Sequence, residues 1–306
     1  MRITDVEEKI RGTSDHSRCW IGLIVYFAFL ALFEHRLKHF LWPSNTMIHR
    51  LTPVSLLPAS NEQSPITWIL GDAGSSLVIF TLTLLVGTIS GRSLRDLGLR
   101  PVSSRSIGRG FVVGLGLVTV FMAAILLCGG LHVADRSEGL AKAIGFGLLW
   151  LMAHAFVGLS EELSNRAAPL LLLVELTGPW AACLLTALVF AAEHIRNVGE
   201  NPLGLTLGVV WGLAAAGTIL RTGTIWYAVG LHAGWDWTLG YLYGARVSGF
   251  GLQGGFLSSD GTGPLLLNGG SAGPEGSLLT MAVTVGWAAA VFLLPWPRRS
   301  LTGLSR

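Results

Sequence analysis

Long apolar stretches separated by short polar ones dominate the chain. Runs close to the roughly 20 residues needed to cross a bilayer fall at 19–34, 67–89, 109–130, 143–176, 179–196, 203–220, 224–243 and 278–295. The pattern predicts an all-α fold, a polytopic membrane bundle of about eight transmembrane helices. The first run is short and meets Glu34-His35-Arg36. No small-residue cleavage site follows it, so it reads as a span rather than a cleaved signal peptide. The fourth run is too long for one simple span, which predicts a helix that projects beyond the bilayer or tilts strongly.

The connections differ in character. Residues 43–66 carry Pro43, Pro53, Pro58 and Pro65, which predicts irregular chain. Residues 244–277 hold eleven glycines, which predicts a flexible outer loop. Its patch Leu265-Leu266-Leu267 is placed to touch the membrane surface. The coarse organisation is an N-terminal segment 1–90 with two spans, a core 91–243, and a Gly-rich loop with the last span at 244–306.

Composition agrees with a membrane protein. Of 306 residues, 51% are hydrophobic and only 13% charged, too few to cover a soluble globule of this size. The net charge of +3 gives no reason to expect a nucleic-acid partner. Three cysteines, Cys19, Cys128 and Cys183, provide neither a disulfide framework nor paired zinc ligands. With the N-terminus inside, 13 Lys and Arg fall on the inner side and 7 on the outer, anchored by Arg92, Arg95, Arg100, Arg105 and Arg109. The bias predicts both termini in the cytoplasm.

Ionisable groups inside spans carry the chemistry, because each costs about 2.5–3.5 kcal/mol on insertion scales. The fourth span holds Glu161-Glu162 and Arg166, the fifth ends Phe190-Ala191-Ala192-Glu193-His194, and the seventh holds His232 and Asp236. Glu162 and Arg166 are i, i+4 with the acid first, the better orientation for a helical ion pair. That pairing leaves Glu161, on another face, free to react. His232 and Asp236 share one side of their helix, as do Phe190 and His194. Glu162 and His194 each lie 16 residues from Gly178, about 24 Å along either arm of a helical hairpin. His232 lies about 14 Å past Gly223, a different nominal depth unless the hairpins are offset. His154 shares the Glu161 face and is expected to be structural or cavity-lining. Glu193 is expected to face away from His194 as a helix-end or interfacial charge, and Asp72 to be a kink or cap residue.

Glu161-Glu162-x-x-x-Arg166, Phe190-x-x-x-His194 and His232-x-x-x-Asp236 resemble, in order, the three motifs of the CAAX-protease and bacteriocin-processing (Abi-type) family of intramembrane proteases. Leu97-Gly98-Leu99-Arg100 resembles the family's lead-in, and the likeness covers about 91–243. The resemblance implies a glutamate-dependent endopeptidase, in a bacterial inner membrane, acting on a membrane-associated protein or peptide. It implies that Glu161 activates water, His194 helps hold it, and His232 and Asp236 complete the pocket and stabilise the oxyanion. Glu162 and Arg166 would be the motif's structural pair, with Phe190 and His154 lining the site. The family position of Asp236 is often Asn. An ionised Asp236 cannot donate to an oxyanion, so it would be protonated, orient His232 or bind a metal, and its role stays open.

Glu161, His194, His232 and Asp236 could also form a zinc site with an open position. The absence of HExxH argues against a zincin, and a glutamate–water mechanism requires no cofactor. Two other functions fit the same residues. One is a catalytically silent scaffold or bacteriocin-immunity protein, and the other is a proton-coupled transporter. A proton path predicts ionisable groups strung across the membrane, whereas here they cluster in three motifs.

Overall fold

The computed structural model describes residues 16–33, 62–136, 139–197 and 199–295. Helices α1 (His16–Leu32), α2 (Pro65–Ser90), α3 (Ser104–Leu127), α4 (Leu140–Arg166), α5 (Ala168–Thr177), α6 (Pro179–Glu193), α7 (Pro202–Thr222) and α8 (Trp226–Asp236) form the bundle, closed by α10 (Leu278–Leu293). A one-turn α9 (Leu265–Asn268) precedes that last helix. Two small sheets, β1 (Glu62–Gln63) with β3 (Gly251–Leu252) and β2 (Leu131–Asp135) with β4 (Leu257–Gly261), sit at one end. The chain is a helical membrane bundle. Four helical stretches, 65–90, 104–127, 140–177 and 202–222, are long and apolar enough to cross a membrane, and α1, α6 and α10 are shorter apolar helices.

Local signals explain the boundaries. Pro65 and Pro202 open their helices at positions where the missing N–H costs nothing. Asn201 caps α7 by accepting from Leu203 N and Gly204 N, and Ser277 caps α10 by accepting from Thr280 N. Gly91 and Gly223 end α2 and α7 in left-handed conformation.

Three expectations change. The long fourth span is broken at Ala167 into α4 and α5. Pro169 in the first turn of α5 cannot donate back across the break, so the chain bends there rather than tilting as one rod. The seventh span is α-helical only to Asp236 and continues as a π-helical turn, Trp237–Leu242. The Gly-rich segment is folded, not a flexible loop. Strand β4 pairs residue by residue with β2, and Gly244, Gly249, Gly254, Gly263, Gly269, Gly270 and Gly273 take positive φ in defined turns. Trp150 Nε1 also donates to Gln253 O at 2.7 Å, fastening this segment to α4. Leu265 and Leu266 remain exposed. Of the proline-rich stretch only 62–66 is described; residues 43–61, Glu34-His35-Arg36 and both chain ends lie outside the described residues.

The packing that matters most for the site is α3 against α8. Gly110 and Gly114 on α3 face Gly230 and Gly234 on α8, each four residues apart. A Cβ on Gly110 would strike Tyr227 O, and one on Gly230 would strike Ile107 O. Reciprocal small-xxx-small surfaces let the two backbones touch. On the other side of α8, Gly158 of α4 abuts Val229 O and His232 Cβ, with a Cβ there at 2.9 and 3.1 Å. His232 is thus held on a helix clamped between two others.

One end of the bundle is basic. Arg18 Nε donates to Ile89 O, Arg221 Nη1 to Leu294 O, and Ile225 N to Gly98 O. These contacts gather the start of α1, the 91–103 loop, the α7–α8 turn and the end of α10 at that end. The two sheets and the Gly-rich segment lie at the other.

Candidate active site

A cavity of about 1270 Å³ is lined from α2, α4, α6, α7 and α8 and from the Gly-rich segment. Glu161, Phe190, His194, His232 and Asp236 stand on its wall, with Asp72, Glu193, Trp211, Trp235 and Glu275. Its loop residues, including Gln63, Asn197, Glu200, Ser248 and Ala272, all come from the end opposite the basic one.

The two adjacent glutamates have different surroundings. Glu162 is fully buried, and its Oε1 accepts from Arg166 Nη1 at 2.8 Å and from His232 Nδ1 at 3.1 Å. The Arg166 guanidinium also lies over the Phe190 ring, 4.3 Å from its centroid, and 5.2 Å from that of Trp211. Glu161 keeps 30% of its side chain exposed, toward the cavity. Its Oε2 has no hydrogen-bond partner among the described residues and stands 3.5 Å from His232 Nε2. Asp236 Oδ2 stands 3.8 Å from the same nitrogen, beyond hydrogen-bond reach.

Hydrogen bonding fixes the imidazoles. His194 Nδ1 lies 2.8 Å from Phe190 O. A carbonyl only accepts, so Nδ1 carries the proton and Nε2 is left for other partners. His232 donates through Nδ1 to Glu162, which turns Nε2 toward Glu161 and Asp236. Phe190 stacks on Trp211 at 5.3 Å, and the His232 ring meets Trp211 at 4.6 Å. These aromatics form one wall that holds Arg166, His194 and His232 together.

Some residues take unexpected places. His154 does not line the cavity. It is fully buried, stacked on Trp150 at 5.2 Å, with Trp68 edge-on at 5.8 Å. Two turns do place it on the Glu161 face, but Trp68 from α2 covers that part of the face and lines the cavity instead. Glu193 does not point away: it is on the cavity wall, and its Oε2 accepts from Asn165 Nδ2 at 3.0 Å. Asp72 is neither kink nor cap, since α2 runs through it and its Oδ1 accepts from Ser160 Oγ at 3.1 Å.

Glu275 carries no local sequence signal. Its Oε1 accepts from Trp235 Nε1 at 2.9 Å and its Oε2 from Ser248 N at 2.5 Å. Burial pushes its carboxyl above the usual range, and these two donors oppose that.

Among the described residues no three His, Cys, Asp or Glu side chains gather to hold a metal ion. His194 Nδ1 and His232 Nδ1 are engaged by Phe190 O and Glu162.

Residues 143–238 match the family model described as Type II CAAX prenyl endopeptidase Rce1-like. No curated protein and no solved structure matches the chain. The matched segment contains Glu161, Glu162, Arg166, Phe190, His194, His232 and Asp236, and it stops before the Gly-rich segment. Over that segment the chain is similar to the CAAX-protease family.

Proposed function

We propose that this protein is an intramembrane endopeptidase that hydrolyses a peptide bond of a membrane-associated protein or peptide with water activated by Glu161. The observation that carries the reading is the unequal treatment of the two glutamates. Glu162 is fully buried and its Oε1 takes both Arg166 and His232, while Glu161 keeps 30% of its side chain exposed toward the cavity and has its Oε2 3.5 Å from an imidazole nitrogen.

Glu161 takes a proton from the attacking water, which His194 Nε2 helps to hold. With Nδ1–H held by Glu162, His232 donates to the developing oxyanion from Nε2–H as the imidazolium, and Asp236, 3.8 Å from that nitrogen, favours the charged ring or, protonated, donates as well. A base for water and preorganised donors for the oxyanion are what amide hydrolysis needs. Glu162 works from behind: it neutralises Arg166 and fixes the orientation of His232. Phe190 and Trp211 give the site its apolar wall.

The same reading includes eight spans, with α8 and its π turn counted as one, and both termini in the cytoplasm. Arg92, Arg95, Arg100 and Arg221 lie at the basic end, which supports its being the inner one. The cavity, lined by loops of the opposite end, then receives its substrate from the non-cytoplasmic side.

The test is a comparison of the membrane proteome, with its protein termini, between cells carrying wild type and Glu161→Ala. The expected result is one or more membrane-associated proteins left uncut in the variant. Identical termini, with both proteins equally abundant, refute the reading.

A further inference from the structure

We propose that Glu275, outside the segment shared with the family, is a positioning residue for His232 and Asp236, acting through Trp235. The inference rests on the endopeptidase reading above.

The geometry is a three-way tie. Trp235 immediately precedes Asp236 and follows His232 by three residues on α8. Its ring is buried and packs on Phe121 at 5.1 Å, and its N–H is held by Glu275 Oε1. The second carboxylate oxygen holds Ser248 N. Ser248 is the only non-glycine with positive φ among the described residues, at 49°. With Gly249 at 85° it forms a tight two-residue turn, closed by mutual hydrogen bonds between Val247 and Phe250. A strained residue persists where its surroundings over-determine it, and here Glu275 supplies part of that determination. Glu275 itself sits in the short 3-10 turn Pro274–Gly276, directly ahead of the Ser277 cap of α10.

One carboxylate therefore joins three pieces of the cavity wall: the helix carrying His232 and Asp236, the 247–250 turn, and the lead-in to α10. Two of the three lie in the Gly-rich segment. Without this tie, the C-terminal half of α8 runs straight into the π turn at Trp237, a less regular stretch. Misplacement of a reacting group by about 1 Å can cost on the order of 100-fold in rate.

The test uses the full-length protein in detergent and a substrate identified by the Glu161→Ala comparison, with turnover expressed per folded enzyme. Glu275→Ala is expected to lower kcat by about 10–100-fold, the scale of lost orientation, with KM within about threefold. Glu275→Gln keeps an acceptor for Trp235 and should recover part of that loss. Trp235→Phe keeps the ring on Phe121 but removes the donor. It should reproduce much of the Glu275→Ala defect, and the double variant should add little to it. Hydrogen–deuterium exchange should rise in 229–242 and 247–250 of Glu275→Ala, and stay unchanged in 104–127. If Glu161→Gln is inactive while Glu275→Ala and Trp235→Phe both turn over like wild type, the positioning role is wrong and the endopeptidase reading stands. If both Glu275 variants fail to fold, Trp235→Phe decides alone: wild-type kcat overturns the proposal, and a kcat defect supports it. If Glu161→Gln itself cleaves normally, the parent reading fails first.

Discussion

Two neighbouring glutamates should fail in different ways when each is made neutral. In Glu162→Gln the Arg166 guanidinium stays fully buried but loses its counter-charge, and His232 loses its carboxylate partner. Breaking a buried ion pair from one side costs about 3–5 kcal/mol. Two things moderate this. The glutamine carbonyl still accepts a hydrogen bond, and the Phe190 and Trp211 faces still attract the cation, an interaction of about 0.5–2 kcal/mol. The expected net loss is about 2–4 kcal/mol of stability, read as a lower unfolding midpoint and reduced abundance. Adding Arg166→Met should restore most of the stability, since an apolar replacement of a buried pair is often neutral. It should not restore activity, because His232 still lacks its anchor. Glu161→Gln neutralises a side chain that is 30% exposed and makes no hydrogen bond through Oε2 among the described residues, so its stability should stay within about 0.5 kcal/mol of wild type. Its cleavage rate should fall by about 10²–10⁴-fold, the usual cost of losing a general base. The assay pairs thermal unfolding of purified protein with cleavage normalised to the folded fraction. A Glu161→Gln protein that is destabilised by 2 kcal/mol or more, beside a Glu162→Gln protein of wild-type stability, refutes this division of labour.

Two further outcomes follow from the site. Asp236→Asn should retain activity within about tenfold, because an amide can donate directly to the oxyanion; a dead Asp236→Asn enzyme together with inhibition of wild type by a chelator would move the chemistry to a metal. In a Cys128→Ser background, a membrane-impermeant maleimide applied to intact cells should label Asn197→Cys at the cavity, whereas Arg95→Cys should react only after permeabilisation; the reverse pattern turns the protein over.

What was legible in the sequence is what helix geometry alone dictates. The i, i+4 spacing of Glu162 and Arg166 sufficed to pair them, because both lie on one continuous helix. The second partner of Glu162, His232, arrives from a helix 70 residues away. Equal counting from the turns put those helices at different depths, and it could not sense the offset. That offset is coded in glycines at 110, 114, 158, 230 and 234, whose meaning is the backbone opposite them. Glu193 was misread for a related reason. A helical wheel separates it from His194 by about 100°, but at the end of α6 both residues line the cavity without sharing a face. The Gly-rich segment was misread because glycine content signals both flexibility and turns that no other residue can make. What separates the two is a partner for each turn, and those partners, Trp235 and Ser248 for Glu275 or Thr262 O for Asn268, become visible only in three dimensions. The family motifs thus specify the floor of the site. The rest of its wall is built from residues that match no motif, and that part of the wall bears on what the cavity admits.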